Sequence, residues 1–286
     1  MRSEIGRRGI ITGGMAALAL GAGRASARGA VTFGLTPVFL TSDREILALL
    51  RGHLEAALDR PVRLVLRRTY QEITTMLLAG QLDAAWICGY PFVRHRAELA
   101  LLAVPVWRGR QLYRSYLIVS AGRAAAGLAD LAGDIHAFSD PDSNSGFLVT
   151  RSELAAMQVS PDAFFERHFF TYGHRNVVRA VASGLAQSGS VDGYVWEALA
   201  ATEPALTAGT RVIWRSEWLG FPPVACAREA VGAPGVERLR RALYAMQGSE
   251  TGRRVLRLLQ LDAFAPGEPA LFDGIAARLG SLAQEG

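Results

Sequence analysis

The chain has 286 residues, half of them hydrophobic, with 31 basic residues against 26 acidic ones. This length and composition exclude a disordered or fibrous protein and allow two domains of ordinary size. All basic residues other than histidine are arginines, because the chain contains no lysine, and they are scattered rather than clustered. The basic balance therefore gives no indication of a nucleic-acid partner.

The N-terminus has the layout of an export signal. Arg7-Arg8 precede an uncharged apolar run over residues 9–23, and Ala25-Ser26-Ala27 supplies a cleavage site of the A-x-A type. The run is too short to span a bilayer comfortably, and the paired arginines suggest the twin-arginine route as an alternative to general secretion. The sequence thus predicts a periplasmic protein cleaved near Ala27. Removal of residues 1–27 takes away four Arg and one Glu and leaves 27 basic against 25 acidic residues, which is nearly neutral.

Strands and helices alternate after the signal. A helix over Ile46 to Leu58 is indicated by apolar residues at helical spacing and by a capping box of Ser42 with Glu45. The other elements predicted in this half are the strand Ala30 to Leu35, the strand Val62 to Leu66, the helix from about Tyr70 to Ala79 and the strand Leu82 to Ile87. This alternation favours a mainly parallel sheet covered by helices on both faces.

A second series of strands and helices begins after residue 127. The apolar run Leu112 to Val119 predicts a strand that leads into it, and Arg211 to Trp214 predicts a strand that returns from it. Between them the sequence predicts strands at Ile135 to Ser139 and Val191 to Val195, and helices after Ser145, after Ser160 and from about Arg175 to Ser183. Three helices follow from Gly235 to the end.

This order of elements predicts an α/β fold of two lobes, each a mainly parallel sheet flanked by helices, joined by a two-strand hinge. The first lobe takes residues 28–118 and 212–286, and the second takes residues 119–211. The C-terminal helices return to the first lobe in this arrangement, which fits the order of elements better than two tandem domains.

A small, hydroxyl-rich loop leads into one of the predicted helices. It reads Ser139-Asp140-Pro141-Asp142-Ser143-Asn144-Ser145-Gly146-Phe147-Leu148. The side chains of Ser143, Asn144 and Ser145 can donate hydrogen bonds, and the backbone N–H groups of Ser145, Gly146 and Phe147 are expected to face the same point. Gly146 also permits close approach of the backbone. The loop therefore predicts an oxyanion site, although plain N-capping would use the same residue types.

The same loop resembles the Asp-Pro-x-Ser-x-Ser-Gly-Phe/Tyr signature of periplasmic phosphonate and phosphite binding proteins, the solute receptors of ABC importers. Tyr70 at a helix start, Tyr113 in the run Tyr113-Arg114-Ser115-Tyr116-Leu117-Ile118-Val119, and His174 after Gly173 match ligand-contacting residues of that family. Judged without the family, the two tyrosines could equally pack with their phenols at the surface, and His174 would be a structural imidazole.

The resemblance implies the type II periplasmic binding fold and a monomeric receptor that is not an enzyme. It implies a small oxyanion as the ligand, and an ABC permease or the periplasmic domain of a sensor kinase as the protein partner. No cofactor, metal or nucleic acid is expected, because the sequence has no phosphate-binding glycine loop and no metal-ligand spacing. Asp83 and Asp192 are expected to cap or turn structural elements.

Two departures from the family pattern bear on the ligand. Relatives that bind aminoalkylphosphonates hold the ammonium with carboxylates at two positions, where this sequence has Leu199 and Pro222. An ammonium left unpaired in a closed cleft would cost several kcal/mol. The ligand is therefore expected to lack an amine, unless Glu197 or Glu217 substitutes. Phe221 beside Pro222 suggests a small or apolar ligand end, as in phosphite, hypophosphite or methylphosphonate.

Cys88 supports a second hypothesis. The segment Trp86-Ile87-Cys88-Gly89-Tyr90-Pro91 falls where the family's first lobe has its cleft-facing strand end, so Cys88 and Tyr90 are candidate ligand-binding residues. Arsenite-binding regulatory proteins resemble this pattern and use a pocket cysteine, which makes a signalling receptor for a soft oxyanion the alternative function; packing is the plainer role of the thiol. A nucleophile and base pair of Cys88 with His174 is a third, weaker hypothesis, since no orienting group is predicted. Cys88 and Cys226 form either one disulfide or two buried thiols, and their apolar neighbours favour thiols.

Overall fold

The computed structural model describes residues 29–37 and 44–283. The predicted export signal and the Ser42 end of the predicted capping box lie outside these residues. The strands are β1 (Val31–Leu35), β2 (Val62–Leu66), β3 (Ala84–Trp86), β4 (Leu99–Val106), β5 (Leu112–Tyr113), β6 (Ser115–Ser120), β7 (Ile135–Phe138), β8 (Arg167–Phe170), β9 (Ser188–Asp192), β10 (Thr210–Arg215), β11 (Leu219–Gly220), β12 (Val224–Ala227) and β13 (Ala263–Ala265). The helices are α1 (Arg44–Leu58), α2 (Tyr70–Leu78), α3 (Gly89–Arg94), α4 (Val149–Ala156), α5 (Pro161–Phe164), α6 (His174–Ala182), α7 (Gly193–Thr202), α8 (Pro204–Thr207), α9 (Pro234–Tyr244), α10 (Glu250–Leu259) and α11 (Asp273–Ala283).

These elements form two sheets and a hinge. The first sheet has the order β13-β4-β12-β3-β1-β2, and the second has the order β10-β6-β9-β7-β8. Between them, β5 pairs with β11 in a two-stranded antiparallel ribbon. The chain therefore crosses from the first sheet to the second after β5 and returns before β11, as a two-lobe fold with a two-strand hinge requires.

Both sheets are mixed rather than mainly parallel, which corrects one expectation. In the first sheet β2, β1 and β3 pair in parallel, whereas β12, β4 and β13 pair antiparallel to their neighbours. In the second sheet β8, β7 and β9 are parallel, and β6 and β10 are antiparallel. The strand and helix alternation predicts the parallel part of each sheet, while the antiparallel part comes from strands at the crossings and near the C-terminus.

Most predicted elements are present. The apolar stripe Ile46, Leu50, Leu54 and Leu58 is buried along α1, and β2 has the predicted bounds. The C-terminal segment contains the three predicted helices α9, α10 and α11. The long strand predicted over Leu112 to Val119 is divided at Arg114 between the hinge ribbon and the second sheet.

The strand predicted at Val191 to Val195 was wrong in its bounds, because β9 runs from Ser188 to Asp192. Strand β9 ends at Asp192, because the Asp192 carboxylate accepts hydrogen bonds from the backbone N–H groups of Tyr194 (2.8 Å) and Val195 (3.2 Å). This is an N-cap, and it starts α7 inside an apolar run that favours a strand by composition. The capping role expected of Asp192 is thereby confirmed. Asp83 has a different role from the cap or turn expected of it: its carboxylate accepts from the backbone N–H of Thr32 at 2.6 Å and ties the start of β3 to β1.

The division into lobes at residues 118/119 and 211/212 stays a prediction. Strands β6 and β10 pair with each other and, through β6, with β9 of the second sheet, so the predicted boundaries fall inside both strands. In the part of the chain that the structure describes, no helix combines the length and apolarity needed to cross a membrane.

The crevice between the two sheets is closed. Tyr70 on α2 and Tyr113 in the hinge are among the largest fully buried side chains of the protein. The loop residues Ser143, Asn144 and Ser145 are buried as well. The predicted oxyanion loop therefore faces protein and not solvent.

Candidate functional site

The predicted oxyanion loop makes a wide helical turn before α4. Ser143 caps this turn: its hydroxyl accepts from the backbone N–H of Gly146 at 3.0 Å, and its carbonyl accepts from Leu148 at 2.9 Å. The expectation that the Gly146 N–H is free for a ligand therefore does not hold in this arrangement. The Ser143 hydroxyl keeps its own proton and can still donate it.

Gly146 is required because there is no room for a side chain. A Cβ atom at this position would lie 1.9 Å from Ser139 Oγ and 2.9 Å from His174 Cε1. The loop backbone, the end of β7 and the start of α6 therefore meet at Gly146. Close backbone approach, which only glycine allows, brings His174 to the loop.

Two tyrosines approach the loop from the other side. Tyr70 is the first residue of α2, which begins with a capping box of Thr69 and Glu72. Its hydroxyl lies 3.3 Å from His174 Nε2. Tyr113 lies in the hinge strand β5, and its hydroxyl accepts a hydrogen bond from Asn144 Nδ2 at 2.8 Å. The structure thus brings both predicted tyrosines together with His174 and Asn144 in one cluster. We call this cluster, with the adjoining side chains of Cys88 and of the loop residues Ser139, Ser143 and Ser145, and with Gly146, the cage.

The tautomer of His174 is set by the backbone. The N–H of Asp192 donates to His174 Nδ1 at 3.1 Å, so Nδ1 must be an acceptor. Burial lowers the pKa of His174 to about 3, which keeps the ring neutral at physiological pH. The proton of the neutral ring therefore sits on Nε2, where it is donated to the Tyr70 hydroxyl.

Both phenols are consequently turned into donors. Tyr70 accepts from His174, Tyr113 accepts from Asn144, and each phenol keeps its own O–H to give. Burial raises the pKa of Tyr70 and of Tyr113 well above the usual value of a phenol, so both protons stay in place. This arrangement can donate hydrogen bonds to an anion.

Further hydroxyls in the cage have no partner among the described residues. The Oγ atom of Ser139 and Asn144 Oδ1 are buried and make no hydrogen bond there. The buried Ser145 Oγ has no hydrogen bond of good geometry either, but it faces the Tyr113 phenol closely enough to act on it. The Ser145 carbonyl is held in place by Ser115 Oγ at 2.6 Å. A buried polar atom without a partner costs about 1–3 kcal/mol, so these atoms favour a polar guest.

Cys88 belongs to the cage but is not reactive. Its sulfur accepts from the backbone N–H of Asn144 at 3.2 Å, and the backbone N–H of Tyr90 faces it from the start of α3. Burial raises the pKa of the Cys88 thiol to about 12, so the thiol is protonated at neutral pH. Both Cys88 and Cys226 are free and buried, as their apolar neighbours predict. Tyr90 is buried in α3 and contributes backbone rather than its phenol to this contact.

The hypothesised pair of Cys88 with His174 is not formed. Both ring nitrogens of His174 are engaged, Nδ1 by Asp192 and Nε2 by Tyr70. No other base is placed at the sulfur by the contacts described above, so the arrangement does not activate a nucleophile. Within residues 29–37 and 44–283, no group of three or more His, Cys, Asp or Glu side chains could hold a metal ion.

Two buried carboxyl groups border the cage, and the sequence did not predict their place there. Asp140 accepts from the backbone N–H of Tyr70 across the crevice at 3.2 Å, and from Asp142 in its own loop at 2.8 Å. Burial raises the pKa of Asp140 to about 6 and that of Asp192 to about 7. The only sequence signal was the Asp-Pro step at the start of the loop, which is typical of a turn.

The end of the cage next to the hinge is apolar. The ring of Phe221 lies 5.7 Å from that of Tyr113 and 5.0 Å from that of Tyr194. Pro222 follows, and its carbonyl accepts from Trp86 Nε1 at 2.9 Å. Leu199 is buried in α7.

Neither candidate glutamate reaches the cage. Glu197 accepts from the Tyr116 hydroxyl at 3.1 Å and pairs with Arg108 at 3.3 Å. Glu217 makes a two-oxygen contact with the guanidinium of Arg278, at 2.8 and 2.6 Å. Both carboxylates are thus held by arginines outside the cage.

The fold has known relatives among solved structures. The binding protein component of an ABC phosphonate transporter from Pseudomonas aeruginosa is 21% identical, with a TM-score of 0.79 over 87% of this chain and 85% of that chain. PhnD1 from Prochlorococcus marinus, solved in complex with methylphosphonate, is 17% identical, with a TM-score of 0.77 over 89% and 98% of the two chains. The alkanesulfonate-binding protein SsuA from Xanthomonas axonopodis pv. citri, solved bound to MOPS, is 19% identical, with a TM-score of 0.59 over 88% and 90%. These likenesses confirm the type II periplasmic binding fold.

A family model shows the family of the chain, which pairwise sequence identities of this size do not show. The model for the periplasmic substrate-binding protein of phosphonate ABC transporters matches residues 33–272. This range includes every strand except the first two residues of β1, together with the hinge and every cage residue described above. The chain therefore belongs to the phosphonate ABC transporter family of periplasmic substrate-binding proteins, which are binding proteins and not enzymes.

Proposed function

We propose that this protein binds a small phosphorus oxyanion without an amine, such as phosphite or methylphosphonate, and delivers it to the permease of an ABC importer. The ligand-binding residues of this proposal are Tyr70, Cys88, Tyr90, Tyr113, Ser143, Asn144, Ser145, Gly146 and His174. Tyr70 and Tyr113 donate to the ligand from the first lobe and hinge. Ser143 and Ser145 donate from the second lobe, while Gly146, Cys88 and Tyr90 shape the wall.

The observation that carries the proposal is the donor polarity of the two phenols. Each accepts one hydrogen bond from the second lobe, His174 supplying one and Asn144 the other. Their own protons are therefore left for a guest with acceptor oxygens. Phosphite and methylphosphonate each offer three such oxygens on one small centre, and hydrogen bonds to charged acceptors are the stronger kind.

A ligand without an amine is supported by the ion pairs of the two candidate glutamates, which leave neither of their carboxylates free to bind an ammonium group. Glu197 and Glu217 are paired with Arg108 and Arg278. Phe221 lies against Tyr113 near the position where relatives that bind aminoalkylphosphonates place one of their acidic residues. An ammonium group beside these apolar side chains would lose its hydration without gaining a partner.

Closure of the lobes is the step that completes the cage. Contacts across the crevice join Tyr70 to Asp140 and His174, and Asn144 to Cys88 and to the hinge residue Tyr113. These contacts are separated when the hinge opens, so the ligand has access to an open form and is enclosed by the closed one. The closed form is then the one that the permease recognises.

A calorimetric panel tests the proposal. Reduced protein is titrated with phosphite, phosphate, methylphosphonate, 2-aminoethylphosphonate and arsenite. We expect micromolar or tighter binding of phosphite or methylphosphonate, and much weaker binding of 2-aminoethylphosphonate. Ser145→Ala and Tyr113→Phe should each weaken binding by about tenfold to a hundredfold, the value of a hydrogen bond to a charged group. Tyr244→Phe is the matched control, since the Tyr244 hydroxyl donates to the carbonyl of Leu102 in β4 and to no cage residue.

The same panel tests the arsenite hypothesis. A soft-oxyanion receptor needs a thiolate, whereas the Cys88 thiol is buried and protonated. Cys88→Ser should therefore change phosphite binding little. Strong arsenite binding that is abolished by Cys88→Ser, together with no binding of phosphorus oxyanions, would contradict the proposed function. Unaltered affinity in both Ser145→Ala and Tyr113→Phe would contradict the proposed cage.

A further inference from the structure

We propose that the cage takes its phosphorus oxyanion as the singly charged, protonated species and discriminates against the doubly charged one. This inference rests on the proposed function, because it assigns a charge state to the ligand of that same site. It follows from the buried carboxylates that surround the cage and from the helix starts that offset their negative charge.

The donors of the cage are all neutral. Among residues 29–37 and 44–283, the titratable groups that face it are Tyr70, Cys88, Tyr113, Asp140, His174 and Asp192. Burial keeps both phenols and the thiol protonated, and it keeps the His174 ring uncharged. None of these groups can therefore supply a positive charge to a guest near neutral pH.

The charged groups that act on the cage are carboxylates. Asp140 and Asp192 both act on the Tyr70 phenol through space, and Asp192 also acts on Tyr113. Asp140 is only 1% exposed and faces the start of α2, where it accepts from the Tyr70 N–H. Asp192 is equally buried and caps α7. Asp142 acts on Asp140 and adds a further negative charge, which Arg94 offsets at 3.6 Å near the surface.

Helix starts supply the opposing positive potential. Tyr70 begins α2, His174 begins α6, and the loop turn leads into α4. Each helix start carries about half a positive charge, and Asp192 caps a fourth start, that of α7, so the four together amount to about two. Above the pKa values of Asp140 and Asp192, about 6 and about 7, both carboxylates are ionised and balance this potential. A guest with one negative charge is tolerated through its hydrogen bonds, whereas a second charge finds no compensating cation among the described residues that face the cage.

The inference has a measurable consequence in protons. Above its second pKa, free methylphosphonate is mostly doubly charged, so each bound molecule must take one proton from the buffer. The affinity should then fall about tenfold for each pH unit above that pKa. Calorimetry of the intact protein in two buffers of different ionisation enthalpy measures the number of protons taken up. The ³¹P resonance of bound methylphosphonate reports whether that proton is on the ligand.

The expected result above the second pKa is an uptake of about one proton for each ligand, with the bound resonance near the limit of the singly charged species. Uptake near zero would overturn the inference. Uptake with the resonance at the doubly charged limit would also overturn it, because the proton would then reside on Asp140 or Asp192. In either case methylphosphonate still binds and the proposed function stands. Failure of methylphosphonate and phosphite to bind at any pH would instead refute the proposed function.

A variant tests whether the charge of a buried carboxylate causes the fall of ligand affinity with pH. Asp192→Asn removes a charge and can keep the cap of α7, since Asn is as good a cap as Asp. The fall of affinity with pH should become shallower in this variant. Asp162→Asn is the control, because Asp162 is exposed on α5, and it should reproduce the slope of the wild type. An unchanged slope in Asp192→Asn would contradict the electrostatic origin of the selectivity.

Discussion

The backbone N–H of Asp192 donates to Nδ1 of His174 at 3.1 Å, and this bond sets the polarity of the cage. It fixes the ring proton on Nε2, which makes Tyr70 an acceptor towards His174 and a donor towards a ligand. The same Asp192 caps α7 with its carboxylate, so one residue ends a strand, starts a helix and orients the histidine. The polarity of the site is therefore built into the end of β9.

His174→Ala should weaken both the site and the fold. The Asp192 N–H would be left buried without its acceptor, which costs about 1–3 kcal/mol in the free energy of unfolding. Oxyanion affinity should fall at least about tenfold, because Tyr70 loses the partner that orients it. Calorimetry and chemical denaturation measure the two effects. His53→Ala removes an equally buried histidine that binds Ser249 and Ala242, so it should lower stability and leave affinity intact. Equal affinity in His174→Ala and wild type would refute the role of the ring.

Gly146→Ala should abolish binding. The new Cβ would overlap Ser139 Oγ and press on His174 Cε1, so the loop or α6 must move. Overpacking of this kind typically costs about 1–3 kcal/mol of stability. Gly52→Ala is the control, since Gly52 lies on an exposed turn of α1 with no atom within 4 Å of the added Cβ. It should raise stability by about 0.5–1 kcal/mol and leave binding unchanged. Wild-type affinity in Gly146→Ala would mean that the loop is not in the site.

Arg278→Ala should favour the open form. Arg278 on α11 bonds Glu217 next to the hinge and Glu153 on α4 at 2.6 to 2.8 Å, and its side chain is 15% exposed. The residue therefore ties the C-terminal helix to the helix that carries the oxyanion loop. Its loss leaves two carboxylates facing each other, so affinity should fall about threefold to tenfold without any change in the cage. Small-angle scattering of the ligand-free protein should show a larger radius of gyration.

We call the ion pairs of Arg278 with Glu153 and Glu217 the clamp, and Arg254→Ala is the control for it. Arg254 pairs with Glu45 on the surface, with more than half of its side chain exposed, and such pairs contribute little. It should leave both affinity and radius of gyration unchanged. The clamp would be disproved if Arg278→Ala and Arg254→Ala gave the same scattering and affinity as the wild type.

Asp192 predicts a pH dependence of stability with a defined sign. Its pKa is about 7 in the fold against an ordinary 3.8, so the native state binds more protons than the unfolded state between these values. Stability from this group is present below about pH 4 and is lost as pH rises to about 7. The Asp192→Asn variant has no carboxyl group at this position and does not lose this stability as the pH rises. Its unfolding free energy relative to wild type should therefore rise by an amount of the order of 3 kcal/mol from about pH 4 to about pH 7, and then level off. If the difference in unfolding free energy between Asp192→Asn and the wild type did not vary with pH, ionisation of Asp192 would not destabilise the fold.

Much of the fold could be predicted from the sequence. The apolar stripe of α1 and the mostly apolar segment of β2 are local patterns, and both predicted elements are present. Strands β4, β12 and β13 were not predicted, because their pairing partners are distant in sequence and composition does not reveal them. The misplaced strand at Val191 has the same origin, since a single capping carboxylate decides against a strongly apolar run.

The residues that form the cage could be predicted from the sequence, whereas the directions of their hydrogen bonds could not. The loop and the family resemblance pointed to Tyr70, Tyr113, Ser145 and His174, and the structure brings these into one cluster. The hydrogen-bond directions depend on which backbone N–H meets which ring nitrogen, and no local pattern encodes that. Asp140 was passed over for the same reason: its partner is the N–H of Tyr70 in the other lobe, 70 residues away.

The most direct test is a crystal structure of the protein with methylphosphonate. The phosphonate should lie between the lobes, with its oxygens within hydrogen-bond distance of the Tyr70 and Tyr113 hydroxyls and of Ser145 Oγ. A phosphonate bound outside this crevice, or one whose oxygens are held by arginines while both phenols still bind only protein, would contradict the cage as the ligand site.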